Sequence, residues 1–223
     1  MTFKSLPSAQ HGLVLFFALV ALVVMSLAGM ALIRSVDTST LIAGNLSFRR
    51  AATASGDSGV EAAVAWLQTA QAANVATSPL LNAAHAFNQT ALNARPGYHA
   101  TVAANLDLFA DATWAGNNSV RLTWDNAGNV VYDGTGAVTA DSSGNQISYI
   151  IHRMCRTANV TIPLASCLFS GALEDGQGKQ IPLPQNVCTG AGCPTAGQSP
   201  QLRITVRSVG PKSTVSYIQA YVF

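Results

Sequence analysis

The sequence predicts an α+β fold: a long N-terminal α-helix, transmembrane in its first half, with an antiparallel β-sheet packed on its second half. Residues 13–33 read LVLFFALVALVVMSLAGMALI, 21 residues without a charge. After Arg34 no proline occurs before Pro79, and Val60, Ala63, Val64 and Leu67 keep the i, i+3, i+4, i+7 spacing of a helical stripe. From Gly97 onward, short β-branched and aromatic runs alternate with Gly, Asn and Asp clusters, the pattern of antiparallel strands and turns.

Composition narrows the function classes. The 223-residue chain is 49% hydrophobic and only 10% charged, where a soluble domain carries about 25% charged residues. That excludes disorder and leaves ample length for a core, so the four cysteines need not hold a mini-protein together. A net charge of +2 without blocks of like charge lacks the electrostatic footprint of nucleic-acid binding, so no specific nucleic acid partner is expected.

As a helix, residues 13–33 would be about 31 Å long, enough to cross a hydrocarbon core. A cleaved secretory signal also fits, with small residues at Ser26-Leu27-Ala28. A core helix of a soluble protein would show a polar position over such a length. Anchor or signal, the remainder is exported. The flanking charges, Lys4 before and Arg34, Arg49 and Arg50 after, leave orientation undecided. Cys155, Cys167, Cys188 and Cys193, even in number and confined to the C-terminal third, read as a disulfide framework in an oxidising compartment. Pairing neighbours joins Cys155 to Cys167 and Cys188 to Cys193, one of three connectivities. Zinc would require paired CxxC or His spacings that do not occur.

Beyond Arg34 the helix should be amphipathic to about residue 75, with Val60, Val64 and Leu67 inward, Arg49, Asp57 and Gln68 outward, and a kink or break at Gly44-Asn45 or at Gly56 and Gly59. Strands are expected at 98–102, 119–124, 130–132, 148–154, 202–207 and 214–222. Asp125-Asn126-Ala127-Gly128-Asn129 and Gly210-Pro211-Lys212 are the hairpin loops. Residues 172–200, rich in Gly, Pro, Gln and Thr, are a surface excursion tied by a disulfide.

Gln10-His11-Gly12 followed at once by Leu13-Val14-Leu15-Phe16-Phe17 resembles the class III signal sequence of type IV pilins. Leu41-Ile42-Ala43-Gly44-Asn45-Leu46-Ser47-Phe48-Arg49-Arg50 and the Ala-rich run after it are similar to the N-terminal region of PilX-type minor pilins. Tyr149-Ile150-Ile151-His152-Arg153-Met154-Cys155 resembles that family's Cys-bearing strand, and Leu202 to Arg207 with Thr214 to Val222 resembles its closing hairpin.

The resemblance implies a type IV pilin-like organisation: leader peptide 1–12, membrane and fibre-core helix 13–33, amphipathic continuation 34–75 and a β-rich domain 76–223. A prepilin peptidase would cut between Gly12 and Leu13, and the new amine on Leu13 would be methylated. The protein would sit in the inner membrane with its C-terminal domain in the periplasm, then enter the extracellular pilus. Its partners would be other minor pilins, the major pilin and a tip adhesin, with no cofactor.

Phe17 departs from the family, which carries Glu there to neutralise the amine of the subunit above. A subunit with nothing above it does not need that pair, so Phe17 points to the fibre tip or the priming complex. A tip pseudopilin of a type II secretion system also fits this departure. An exported or anchored β-domain that binds a ligand through residues 172–200 is the reading from a different class.

Catalytic signatures lack their contexts. Gly56-Asp57-Ser58-Gly59 spells a serine-protease nucleophile, but it falls in a helix, with His11 the lone upstream histidine. His85, His99 and His152 stand apart in sequence and are expected on the surface or in strands. Asp133-Gly134-Thr135-Gly136 and Asp141-Ser142-Ser143-Gly144-Asn145 lack EF-hand spacing and read as turns. No metal site and no enzymatic activity are expected.

Overall fold

A computed structural model describes residues 11–102, 106–131 and 135–223, with side chains from Leu13 onward. The predicted leader up to Gln10, the strand end at Tyr132, and Asp133 and Gly134 lie outside the described residues. The chain forms two compact units, Met1–Ser47 and Phe48–Phe223.

Helix α1 (His11–Ala73) is unbroken. The interruption expected at Gly44-Asn45, Gly56 and Gly59 is absent, and within the second unit packing gives the reason. A Cβ on Gly56 would collide with Ile218 Cδ1, and one on Gly59 would stand 2.6 Å from Val206 Cγ1 and 3.0 Å from Ile147 Cγ2. These glycines bring the helix close to the sheet, so burial offsets their unfavourable propensity. The buried line is Ala52, Gly56, Gly59, Ala62, Ala63 and Leu67. Val60 and Val64, expected to face inward, pack against the core beside this line. Arg49, Asp57 and Gln68 are exposed, as the amphipathic pattern requires.

The sheet is built around β5 (Gln146–Arg153), buried from Ile147 to its end. It pairs antiparallel with β8 (Leu202–Val209), which pairs antiparallel with β9 (Val215–Val222). Cross-strand register sorts these strands into two faces. Ile147, Tyr149 and Ile151 face α1 with Ile204 and Val206, joined by Tyr98, Leu122 and Trp124 in one apolar core. The opposite face carries Ser148, Ile150 and His152 opposite Arg207, Thr205 and Arg203. There the first of two short 3-10 turns (Asp111–Trp114 and Gly116–Asn118) places Asp111 against Arg207 and Trp114 5.9 Å from its guanidinium.

The other edge of β5 departs from the antiparallel expectation. β1 (Tyr98–His99) pairs with it in parallel, and β2 (Val120–Arg121) antiparallel beside it, so the sheet is mixed. The predicted strand 119–124 is two strands. After Leu122, whose amide donates to Ile147 O (2.8 Å), β3 (Thr123–Trp124) leaves the main sheet to pair with β4 (Val130–Val131). A short helix α2 (Ile162–Ala165) follows β5, and β6 (Phe169–Ser170) pairs with β7 (Ser199–Pro200) to close the base of the excursion.

One turn recurs three times. At Asp125, Asp141 and Asp175 the carboxylate accepts the backbone amides two and four residues on, and a glycine three residues on holds φ between 77° and 84°. An Asx turn closed by a left-handed glycine fixes each loop. This explains the segment 141–145 as turn chemistry, with Asn145 Nδ2 reaching Ser55 Oγ on α1 (2.8 Å).

The helix–sheet contact predicts opposite outcomes for one substitution at two glycines. Gly59→Ala is expected to lower stability to chemical denaturation by about 1–3 kcal/mol, because the added methyl overpacks against Val206. Gly44→Ala, where a Cβ meets nothing within 4 Å, should leave stability unchanged or raise it by up to about 1 kcal/mol through helix propensity.

Candidate functional site

The first unit presents one apolar surface, the helix itself. From Leu13 to Leu46 every large apolar side chain is exposed, from 41% at Val20 to 75% at Met25. The helix is apolar all round over residues 13–33, and no described residue of the unit covers it. An apolar surface of this kind suits lipid or neighbouring helices. Its one hydroxyl in that stretch, Ser26 Oγ, donates to Leu22 O (2.8 Å), so no side-chain donor is left unsatisfied in an apolar medium.

At Arg34 the character changes within one turn. Arg34, Ser35, Asp37, Thr38, Ser39 and Thr40 follow, and the hydroxyls of Thr38, Ser39 and Thr40 donate to carbonyls four residues back. The helix is therefore long and apolar enough to cross a membrane and ends its apolar stretch at a polar collar. Of the residues singled out by sequence, Gly12 lies in the first turn of α1. Leu13 and Phe17 are exposed, and the Phe17 ring meets Phe16 edge-on at 6.1 Å.

In the second unit, Cys155 is bonded to Cys167 and Cys188 to Cys193. The first bond ties the end of β5 to the segment after α2. The second closes a six-residue ring with Gly190 and Gly192 at φ 102° and 91°. A Cβ on Gly192 would collide with Pro163 O, so this ring lies flat against α2. Two disulfides in this unit fit an exported domain. The excursion is held by backbone bonds from Leu173, Ile181 and Ala196, while Leu173 remains exposed.

Gly56-Asp57-Ser58-Gly59 sits in mid-helix with Ser58 Oγ donating to Ser55 O (2.6 Å), and its glycines are accounted for by the sheet contact. Two of the histidines, His99 and His152, lie in strands as expected, and all three are buried. His85 is buried in a loop, with Nδ1 accepting the Phe87 amide. His99 and His152 are buried on adjacent strands, their rings stacked at 4.9 Å, with His99 Nε2 at 3.1 Å from Asn118 O. Sequence separation hid this pair, because the parallel β1–β5 register that joins them leaves no local pattern. Burial, reinforced by His99 and Arg203, drives the His152 pKa down to about 3. Among the described residues, no cluster of His, Cys, Asp and Glu has the makings of a metal site.

Comparison with protein-family models, curated proteins and solved structures gives no match to this chain.

The stacked histidines predict acid sensitivity. The folded-state pKa of His152 lies below its ordinary value of 6.5, so the unfolded chain binds the extra proton between pH 6.5 and about 3. Stability is therefore fully present above that window and is lost as pH falls through it. Lowering the pH from 7 to 5 should cost about 2 kcal/mol from this residue, read from denaturation midpoints. His152→Phe should flatten that slope.

Proposed function

We propose that this chain is a membrane-anchored assembly subunit, a minor pilin of the PilX kind that primes and joins a type IV pilus at or near its tip. The observation that carries the reading is the uncovered apolar helix of residues 13–33, continuous in sequence with a segment packed on a disulfide-bonded α+β domain. Its side chains are stable in lipid. They leave lipid without large cost only when neighbouring helices cover them, since each large apolar side chain left in water costs about 1.5–3 kcal/mol. A fibre whose core is a bundle of such helices meets that demand, and the domains outside the bundle select which neighbour fits.

The resemblance at Gly12-Leu13, at residues 41–50 and in the closing hairpin supports a pilin rather than a generic anchor. Phe17 supports a terminal position. A carboxylate there would need the amine of a subunit above, whereas Phe17 asks only for apolar neighbours.

Mass spectrometry of the mature N-terminus, in cells with and without prepilin peptidase, tests the pathway. Methylated Leu13 that depends on the peptidase is expected. A start at Gly29 or an intact Met1 would reject it. Phe17→Glu tests position: the variant is expected to spread along the shaft in immunogold labelling, and an unchanged distribution removes any positional role for Phe17.

A further inference from the structure

Arg153 ends β5 on the side of the sheet that faces α1, in line with Ile147, Tyr149 and Ile151, and is 2% exposed. Its Nε donates to Ala100 O (3.0 Å) and its Nη1 to Asn88 Oδ1, while Nη2 is buried without a partner. Asn88 is itself fixed, its Nδ2 donating to Pro79 O and Asn82 O (2.8 Å each). The neighbours that hold the guanidinium are thus neutral acceptors. Among the described residues, the ion pair is Arg207 with Asp111, and no carboxylate reaches Arg153. A buried guanidinium stays charged and is costly without a counter-charge.

Arg153 is also among the residues that line a cleft of about 410 Å3, of the size that takes small ligands. Gln71 from the last turn of α1 and Asn74 just after it form one wall, and Phe87, Ile162 and Leu202 supply apolar surface. His85, also in the wall, offers no second cation: burial keeps its pKa below the ordinary value against the pull of the Asn74 carbonyl. One cationic group with one unpartnered nitrogen suits a monoanion better than a phosphate dianion, which asks for more donors. We propose that this cleft binds a carboxylate carried on an apolar body, with Arg153 as its counter-charge. The site is independent of the assembly reading.

Calorimetric titration of the full chain in detergent tests it, with phenylacetate against phenylacetamide, and with Ala-Ala-Phe bearing a free or amidated C-terminus. Each acid is expected to bind at least about tenfold more tightly than its amide, the difference a lost charge-assisted hydrogen bond makes. Tighter binding of the free tripeptide than of phenylacetate would assign the carboxylate to a polypeptide terminus, and the reverse to a small molecule. Arg153→Gln should abolish the acid–amide difference. Because that change can also unfold the core, Thr77→Trp at the exposed rim provides a second variant, expected to block binding while leaving the melting curve unchanged. Equal affinity for acid and amide, no saturable binding of either acid, or full binding by Thr77→Trp would each overturn the proposal.

Discussion

The close approach of α1 to β8 and β9 is the contact on which the second unit depends. Gly56 and Gly59 leave no room for a Cβ, so the helix backbone itself forms the surface that Val206, Ile218 and Ile147 meet. With the helix pressed so near, the larger residues Val60, Val64 and Trp66 turn to the flanks. Trp66 meets Tyr98 there at 5.5 Å, whose hydroxyl donates to Phe87 O (2.8 Å). The helix thereby orders the loop before β1 as well as the sheet. Glycines that would weaken an isolated helix by about 1 kcal/mol each strengthen the packed one.

One helix thus carries two opposite solutions to burial. Its segment in the second unit uses small residues so that the sheet can come close. Its segment in the first unit uses Leu, Val and Phe on every side and finds no cover among the described residues of the unit. The apolar excess that sets the chain's unusual composition is concentrated in that uncovered stretch. The two faces of the sheet divide in a comparable way. Along β5, β8 and β9 the face toward α1 is apolar apart from Ser208, Ser216 and the single charged residue Arg153, and the other carries His152, Arg203 and Arg207. Arg153 breaks the rule of its own face, which is why the cleft beside it has a distinct chemistry.

Much of this architecture was legible in local pattern. Short β-branched and aromatic runs located β5, β8 and β9 to within two residues, and a cluster of Asp, Asn and Gly marked the hairpin loop at 125–129. The predicted stripe of Val60, Ala63, Val64 and Leu67 packs on the sheet, with Ala63 and Leu67 buried and Val60 and Val64 half-buried beside the core. The burial of Gly56 and Gly59, expected as a kink or break, carried no local signal because it depends on the sheet that meets them. The parallel β1, the split at Leu122 and the His99–His152 stack depend on long-range register, which local periodicity does not encode. Arg153 did carry a signal: it shares strand parity with Ile147, Tyr149 and Ile151, so an arginine there had to be buried on the helix side.

The central claim is that the two halves of α1 face different partners, one outside the molecule and one inside it. Photo-crosslinking in intact cells, with a benzophenone side chain at Val20 or in place of the half-buried Trp66, separates them. The account predicts that Val20 yields adducts to the apolar helix of another protein under conditions of the proposed assembly, while position 66 yields only crosslinks within the chain. Adducts to lipid alone from Val20 under those conditions, or adducts to other proteins from position 66, would contradict it.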